Sequence, residues 1–399
     1  MRADLGPPSG LLPEEDDARL RRADRAFVRG AWVAWGVFAV ATGAVSALTG
    51  LDRTVAHNFR EASLQWWARG DIYGDLRNIG GFLYFPQAAV LWSPFAWMPV
   101  VVGEVVWRAA SIALLASSAW RLSRLASPRP GAEPFPLVTL LLIPTALGSA
   151  RNGQMNLAFS AMMALACADL AREQWKRAAA WLSLAMALKP LTLALLLIVA
   201  ALRPRRMIPS LAAGAAAVLA FPLLTAPPAY VLRQYTQCVE KLRTAIDPPP
   251  GLYSSLWAIP ESLGVVTPHP VMSKVAAVCS LAALGLSWLA WKRLGRDRGP
   301  LAVLGVAAAY IMLFNSRTEG LTYVVLAPAV ATLAAWEWFA TGRRAVAAML
   351  IGICVILAFS RNLIGPNLWL RPTVTLMFAG YLTALAARPP RERLVGAEG

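Results

Sequence analysis

The sequence predicts an all-α, polytopic membrane protein with roughly 12 transmembrane helices. The 399-residue chain is 57% hydrophobic and only 15% charged, whereas soluble proteins contain about 25% charged residues. Apolar runs long enough to cross a bilayer recur from residue 31 to residue 387, and basic residues collect in alternate turns between them. We therefore expect one membrane domain over 31–387 instead of several soluble domains.

Each predicted span is an apolar run bounded by basic, proline-containing or glycine-containing turns. Two consecutive runs, 178–189 and 190–202, are too short for two full crossings at a rise of 1.5 Å per residue. Because Lys189 precedes a proline, which disfavours helix before it, we interpret this pair as a hairpin of short helices. The predicted spans are 31–50, 99–120, 133–149, 154–171, 178–189, 190–202, 207–226, 271–291, 300–314, 320–340, 345–360 and 370–387.

The distribution of basic residues predicts the orientation of the spans. Arginines precede the first span, and six alternate turns together hold 18 Lys and Arg residues, while the short turns 150–153, 188–190, 315–319 and 361–369 hold one each. This alternation requires the proline-interrupted segment Gly81–Met98 to be a re-entrant or surface-lying helix. The tails, 1–30 and 388–399, are then cytoplasmic, and the loops 51–98 and 226–270 lie outside.

Charge and cysteine content argue against several classes of protein. The formal net charge is +16, but the basic residues are dispersed over separate turns, so we expect no nucleic-acid partner. The four cysteines and two histidines show neither a disulfide framework nor metal-ligand spacing, so no metal site is predicted. The chain has no pattern of a cleavable signal peptide, and residues 1–18, which are acidic and proline-containing, are predicted to be disordered.

Polar residues other than the basic turns fall on the predicted outer side. The run Arg151–Asn156 reads Arg-Asn-Gly-Gln-Met-Asn between two apolar runs. A tight turn bent at its glycine is one interpretation; we favour a polar site, because a turn needs only one or two such residues. Lys189 lies at the tip of the predicted hairpin and Arg317 in a third outer turn. Cations converging from these three turns would form an anion site suited to a phosphate.

The first outer loop has four acids and four arginines over residues 52–80, and Trp66-Trp67 indicates a short interfacial helix. Carboxylates just above a membrane can deprotonate a hydroxyl or hold a divalent cation, unless they only pair with the arginines. The aromatic, proline-containing stretch Gly80–Gln87 suits either a lipid groove or interfacial anchoring. Glu104 and Arg108 are a charged i,i+4 pair with either a functional or a packing role.

Five short motifs follow one another along the chain. They are Gly70-Asp71-Ile72-Tyr73, Tyr84-x-Pro86, Gly153-Gln154-x-Asn156, Ala187-Leu188-Lys189-Pro190 and Glu319-x-x-x-Tyr323. In this order they resemble the GT-C type polytopic glycosyltransferases, specifically glycosyltransferase family 87. The resemblance implies transfer of mannose or a related hexose or pentose from a polyprenyl-phosphate donor. The acceptor would be a glycan or glycolipid on the outer face of the cytoplasmic (inner) membrane.

The resemblance also implies roles for individual residues. The family places an Asp before an aromatic residue as the presumed catalytic base, but this chain has Asn58 before Phe59. An amide cannot usefully accept a proton, so Glu61 or Asp52 would have to substitute. Candidate contacts to the carrier phosphate and the sugar are Tyr84, Arg151, Asn152, Gln154, Asn156, Lys189, Arg317 and Glu319.

Two alternative functions stay open at this level. A transporter or lipid translocase would place polar residues near the bilayer midplane and would contain internal repeats. A non-catalytic relative that binds a lipid-linked sugar would keep the phosphate cations and lack the base, as Asn58 suggests. No glycine-rich nucleotide-binding loop follows a strand, which agrees with a lipid-linked donor. The sequence leaves open the sugar, the acceptor, a divalent-cation requirement and the oligomeric state.

Overall fold

A computed structural model of the protein describes residues 14–49, 54–78, 80–126, 133–246, 248–365 and 367–388. Within these ranges every regular element is an α-helix or a 3₁₀ helix, which confirms the predicted all-α, polytopic class. The first 13 residues of the predicted N-terminal tail, Asp52, and residues 389–399 of the predicted C-terminal tail lie outside the described residues.

The α-helices are numbered in chain order over the described residues. Their bounds are α1 (Glu14–Thr49), α2 (Ala56–Trp67), α3 (Pro86–Ala96), α4 (Val100–Ser123), α5 (Phe135–Arg151), α6 (Asn156–Ala171), α7 (Trp175–Leu188), α8 (Leu193–Leu202), α9 (Pro204–Ala220), α10 (Pro228–Ala245), α11 (Ala258–Ser262), α12 (His269–Arg293), α13 (Gly295–Phe314), α14 (Ala327–Phe339), α15 (Arg344–Ile364) and α16 (Leu370–Ala387).

Six helical segments of the described chain are long and apolar enough to cross a membrane. Every predicted span coincides with helix over most of its length. The shorter apolar helices are Phe135–Arg151, Asn156–Ala171 and Pro190–Leu202. The six long segments are Asp24–Thr49, Val100–Ala126, Pro204–Leu224, His269–Arg293, Gly295–Phe314 and Arg344–Asn362.

The predicted break between α7 and α8 is present. Lys189 has an extended backbone (φ −150°, ψ 122°), and Pro190–Thr192 forms a 3₁₀ turn before α8. Proline at the start of that turn cannot donate the hydrogen bond that would continue α7. Helix α7 therefore ends at Leu188, and the break lies where the sequence predicts it.

Other bounds differ from the prediction. Helix α1 begins at Glu14, well before residue 31, so the acidic residues that were expected to be disordered start a helix. The span predicted over 320–340 begins as a 3₁₀ helix at Gly320–Val325 and becomes α-helical only from Ala327. Helix α3 has 11 residues, and a length of about 16 Å is too short to cross a hydrocarbon core. This length agrees with the predicted non-spanning segment.

The helices enclose two hydrophobic cores. The larger core lies among the apolar helices and includes α4–α8 and α13–α16. The smaller one joins α2, α3 and α10, with Phe59, Trp66, Trp92, Tyr73 and Tyr230 among its members. The loop after the first span is thus a folded cap on the bundle.

Helix α10 fixes the irregular chain that follows α2. The Lys241 ammonium donates hydrogen bonds to the carbonyl oxygens of Asp75 and Asn78, both at 2.6 Å. Two helical turns earlier in α10, Gln234 Nε2 donates to the Gly70 carbonyl at 3.2 Å. These bonds satisfy backbone oxygens that no secondary structure pairs, and they hold the loop over one end of the bundle.

The charged pair on α4 has a structural role. Glu104 and Arg108 form a buried ion pair at 2.6 Å. Arg108 also donates to the carbonyl oxygens of Ala150 and Arg151, at 3.1 and 3.2 Å, and to Thr54 Oγ1 at 2.9 Å. The last carbonyls of a helix lack partners within the helix, so Arg108 closes the C-terminus of α5 and ties it to α4.

We predict that Arg108→Met lowers the free energy of unfolding by about 3–5 kcal/mol, because it leaves Glu104 as an uncompensated buried charge. Chemical denaturation in detergent micelles or lipid discs measures this loss. Arg151→Ala is the control, since its exposed side chain is expected to contribute less than about 0.5 kcal/mol. Equal stabilities of the two variants would contradict a structural role for the α4 pair.

Candidate functional site

A cavity of about 300 Å³ opens at the end of the bundle beneath the loop and α10. Five segments that are distant in sequence contribute to it: the loop before α3, the α5–α6 turn, the break at Lys189, the end of α10, and the chain after α13. Its lining residues are Leu83, Tyr84, Gln154, Asn156, Lys189, Pro190, Leu191, Leu242, Ala245, Ile246, Asn315, Ser316, Arg317, Glu319 and Thr322.

A chain of hydrogen bonds crosses this cavity. The Lys189 ammonium donates to Asn156 Oδ1 at 2.6 Å, and Asn156 Nδ2 donates to Gln154 Oε1. Gln154 Nε2 then donates to Glu319 Oε2 at 2.7 Å. A cation and a carboxylate are thereby connected through two amides, each of which donates one bond and accepts another.

Local backbone features place these side chains. Gly153 has φ +66°, and this left-handed conformation, which favours glycine, turns the chain between α5 and α6. Gln154 follows at once, and Asn156 is the first residue of α6. On the other side of the cavity, Ser149 Oγ donates to the Leu321 carbonyl at 2.6 Å. This bond fixes the 3₁₀ helix that follows Glu319 against the end of α5.

The electrostatics of the cavity combine two cations with one carboxylate. Burial lowers the pKa of Lys189, in the break between two helices, to about 8, while the nearby Glu319 carboxylate acts in the opposite direction. Burial also raises the pKa of Tyr84, so its hydroxyl remains protonated at neutral pH. Arg317 lies beside these groups, and an Arg is charged at every relevant pH. The site can therefore bind an anion next to a carboxylate.

The structure brings together six of the eight predicted substrate-binding residues. Tyr84, Gln154, Asn156, Lys189, Arg317 and Glu319 all line the cavity. Arg151 and Asn152 do not: Arg151 is exposed, and the Asn152 carbonyl accepts hydrogen bonds from Val55 N at 3.0 Å and Thr54 Oγ1 at 3.2 Å. Of the three cations predicted to converge, Lys189 and Arg317 line the cavity and Arg151 does not. Arg151 and Asn152 contribute to the turn between α5 and α6 through their backbone carbonyls, which accept hydrogen bonds.

Two of the three predicted catalytic residues, Asn58 and Glu61, are described, and neither lines the cavity. Asn58 and Glu61 are on α2, and Glu61 is exposed and accepts a hydrogen bond from Gln65 Nε2 at 2.8 Å. Helix α2 contacts one lining residue: the ring of Phe59 packs edge-on against Tyr84, with centroids 5.1 Å apart. Asp52 lies outside the described residues. Within the described lining, Glu319 carries the one carboxylate.

Sequence reasoning missed the contribution of α10. Leu242, Ala245 and Ile246 line the cavity, although 226–270 was predicted only as an outer loop. A helical pattern was present: Tyr230, Gln234, Cys238, Lys241 and Ala245 recur every three to four residues and form the buried face of α10. Because two of these residues are polar, the face does not stand out as an apolar stripe.

The described part of the chain contains no group of three or more His, Cys, Asp or Glu side chains that could hold a metal ion. Glu319 and the amide oxygens of Gln154 and Asn156 are oxygen ligands of the kind that hard cations prefer. Two cations already neighbour them, however, and Lys189 takes the Asn156 oxygen. A divalent-cation requirement stays a prediction.

A comparison with protein families agrees with this arrangement. A model of glycosyltransferase family 87 matches residues 82–316, a range that includes Tyr84, the polar run after α5 and Lys189. A comparison with curated proteins finds no match. The matched range covers more than half of the chain and includes four of the five segments that form the cavity. The chain belongs to glycosyltransferase family 87.

Proposed function

We propose that this glycosyltransferase moves a sugar, mannose or a related hexose or pentose, from a polyprenyl-phosphate donor to a glycan or glycolipid. The reaction would take place on the outer face of the cytoplasmic membrane, with both chain termini inside. The observation that carries the proposal is the cavity in which Lys189 and Arg317 lie beside the Glu319 carboxylate. Family membership supports glycosyl transfer, and the two cations support a donor with a phosphate leaving group.

The donor's phosphate would bind between Lys189 and Arg317. Both side chains act as hydrogen-bond donors with full positive charge, and such bonds to phosphate are stronger than bonds between neutral groups. The apolar side chains Leu191, Leu242 and Ile246 line the same cavity and suit the first isoprene units of the lipid. Cations oriented before the reaction stabilise the negative charge that develops on the leaving phosphate, and this is usually a large share of catalysis.

Glu319 is the general base in this proposal. It takes the proton of the acceptor hydroxyl while that oxygen attacks the anomeric carbon, the bond from this carbon to the phosphate oxygen breaks, and polyprenyl phosphate leaves. The single displacement inverts the anomeric configuration. The hydrogen bond from Gln154 orients the carboxylate, and the exposed Glu61 does not line the cavity. Glu319 therefore replaces the outer-loop carboxylate expected from the sequence.

A second function is favoured by one observation. Asn58 occupies the position at which the family resemblance places a catalytic Asp, while the two cations of the cavity are in place. This combination would suit a relative that binds a lipid-linked sugar without transferring it. Such a protein would bind the donor and would show no turnover with any acceptor.

We predict that Glu319→Gln lowers kcat by about 10²- to 10⁴-fold, because it removes the general base, and leaves donor affinity nearly unchanged. Gln keeps an oxygen that accepts the Gln154 hydrogen bond. The measurement is transfer from a panel of radiolabelled polyprenyl-phosphate sugars by protein in lipid discs, with donor binding measured in parallel. Glu61→Gln is the matched control, and we expect wild-type turnover from it. Loss of turnover in Glu61→Gln alone would indicate that the general base is Glu61 of the predicted outer loop. Donor binding by the wild type without turnover would identify a relative that only binds the donor.

A pH dependence of donor binding follows from Lys189. Below its pKa of about 8 the amine is protonated and attracts the donor's phosphodiester, whose own charge is constant over this range. Affinity for a polyprenyl-phosphate sugar should therefore fall as pH rises through about 8. Lys189→Arg should abolish this change, because Arg stays charged. An identical pH profile in both proteins would exclude Lys189 as the titrating group.

At neutral pH, Lys189→Met should weaken donor binding by about 10- to 150-fold, the equivalent of one charge-assisted hydrogen bond of about 1.5–3 kcal/mol. The equilibrium dissociation constant of a radiolabelled donor in lipid discs measures the effect. Lys176→Met is the control, because this exposed residue begins α7 at the opposite end from Lys189. Equal weakening in both variants would indicate a general electrostatic effect instead of a phosphate contact.

A further inference from the structure

A second cavity, of about 190 Å³, adjoins the first, and Ile246 and Ser316 line both. Its walls come from the chain between α10 and α12 together with the end of α13. Its lining combines the aromatic rings of Tyr253, Trp257 and Phe314 with the His269 imidazole, the Glu261 carboxylate and several hydroxyl groups. Neither of the proposed phosphate contacts, Lys189 and Arg317, lines it, so its residues require a separate explanation.

The wall between the two cavities is held by backbone hydrogen bonds. Ser254 N donates to the Thr318 carbonyl at 2.7 Å, and Leu256 N donates to the Leu313 carbonyl at 2.9 Å. The Tyr323 hydroxyl donates to the Ser254 carbonyl, also at 2.7 Å. The segment that carries Tyr253 and Trp257 is therefore fixed along the end of α13.

One contact connects the linings of the two cavities. Arg317 lines the first cavity, and its guanidinium carbon lies 5.3 Å from the centre of the Tyr253 ring, which lines the second. Trp257 is packed by Phe314, with ring centroids 6.4 Å apart in an edge-on arrangement. Tyr253 is therefore contacted by Arg317, the proposed phosphate contact, and Trp257 is contacted by Phe314 at the end of α13.

The chemistry of the second cavity differs from that of the first. Among the described residues that line it there is no Lys or Arg, and Glu261 contributes a carboxylate. A phosphate would find no Lys or Arg partner among these residues, where His269 is the one basic side chain, whereas a neutral polyol could bond to the hydroxyl groups and the carboxylate. Glu261 Oε2 already accepts a hydrogen bond from Gly251 N at 3.0 Å, and a carboxylate has further lone pairs for ligand hydroxyls. Aromatic faces beside a few polar groups are suited to the apolar face and the hydroxyl edge of a sugar ring.

We propose that the second cavity is the acceptor subsite and that it binds one uncharged pyranose ring of a glycan or glycolipid. This inference rests on the proposed function, because it assigns the donor to the first cavity. The shared wall at Ser316 would place the acceptor ring next to the donor's anomeric carbon. Trp257 would stack on the ring, and Glu261 would accept hydrogen bonds from its hydroxyls.

Photoaffinity labelling tests the subsite without knowledge of the natural acceptor. The probes are alkyl mannosides, glucosides and galactosides that carry a diazirine on the first carbons of the alkyl chain. The full-length protein is labelled in lipid discs, since detergents with sugar headgroups would compete. We expect labelled peptides within residues 246–276, and excess unmodified alkyl hexoside should suppress the labelling.

Two variants should each reduce this labelling. Trp257→Ala should reduce it about fivefold or more through loss of stacking, and the isosteric Glu261→Gln about tenfold or more through loss of charged hydrogen bonds. Trp288→Ala, at a half-exposed position of α12, and Glu240→Gln, at an exposed position of α10, are the matched controls and should label like wild type. Retained donor binding in the first two variants would show that they are folded.

The outcomes separate the subsite from the proposed function. No competed labelling within 246–276 from any hexoside, or equal labelling of wild type, Trp257→Ala and Glu261→Gln, would overturn the subsite even if donor transfer is observed. Absence of polyprenyl-phosphate-sugar binding by wild type, with competed labelling at 246–276, would instead contradict the proposed donor and leave a sugar site in place.

Discussion

The candidate site depends on the rule that polar groups enclosed by apolar helices must find hydrogen-bond partners. Lys189, Asn156, Gln154 and Glu319 meet this rule by bonding to one another in series. Each amide accepts one hydrogen bond through its oxygen and donates one through its nitrogen. Rotation of any one of the four side chains would therefore break a hydrogen bond of the series. The resulting arrangement holds a cation and a carboxylate at opposite ends of the chain before any ligand arrives, which is the preorganisation that electrostatic catalysis requires.

The same rule explains why chemistry is concentrated at one end of the bundle. At the far end of α6, the buried Asp169 pairs with Arg121 and also accepts from Trp181 Nε1 at 3.1 Å. At the far end of α14, Glu337 pairs with Arg343 and accepts from the Tyr381 hydroxyl at 2.8 Å. These carboxylates are engaged in packing the helices. The described residues thus show no track of available charges between the two ends, which a translocase would need.

The sequence predicted the features that depend on residues close together in the chain. Apolar runs located the helices, the Lys189-Pro190 step located the break between α7 and α8, and polar turns that were predicted to lie outside supplied most of the cavity lining. Arg151 and Asn152 do not line the cavity: the Arg151 carbonyl accepts from Arg108, which reaches the turn from α4, and the Asn152 carbonyl accepts from Val55 and Thr54. No spacing within the run Arg151–Asn156 reveals these contacts. Helix α10 was missed for a related reason, since its buried face includes Gln234 and Lys241, whose partners are loop carbonyls.

The turn between α13 and α14 joins the parts of the site into one unit. Within a few residues it supplies Ser316 to both cavities, Arg317 to the Tyr253 ring, and Glu319 to the Gln154 amide. In the proposed arrangement, a base on this turn would act near Ser316, where a donor in the first cavity and an acceptor in the second would meet. A base on α2 would have to act from outside the cavity lining. Under the proposed function, Glu319 would act at the boundary between the two substrates, and this would account for a family member with an amide at position 58.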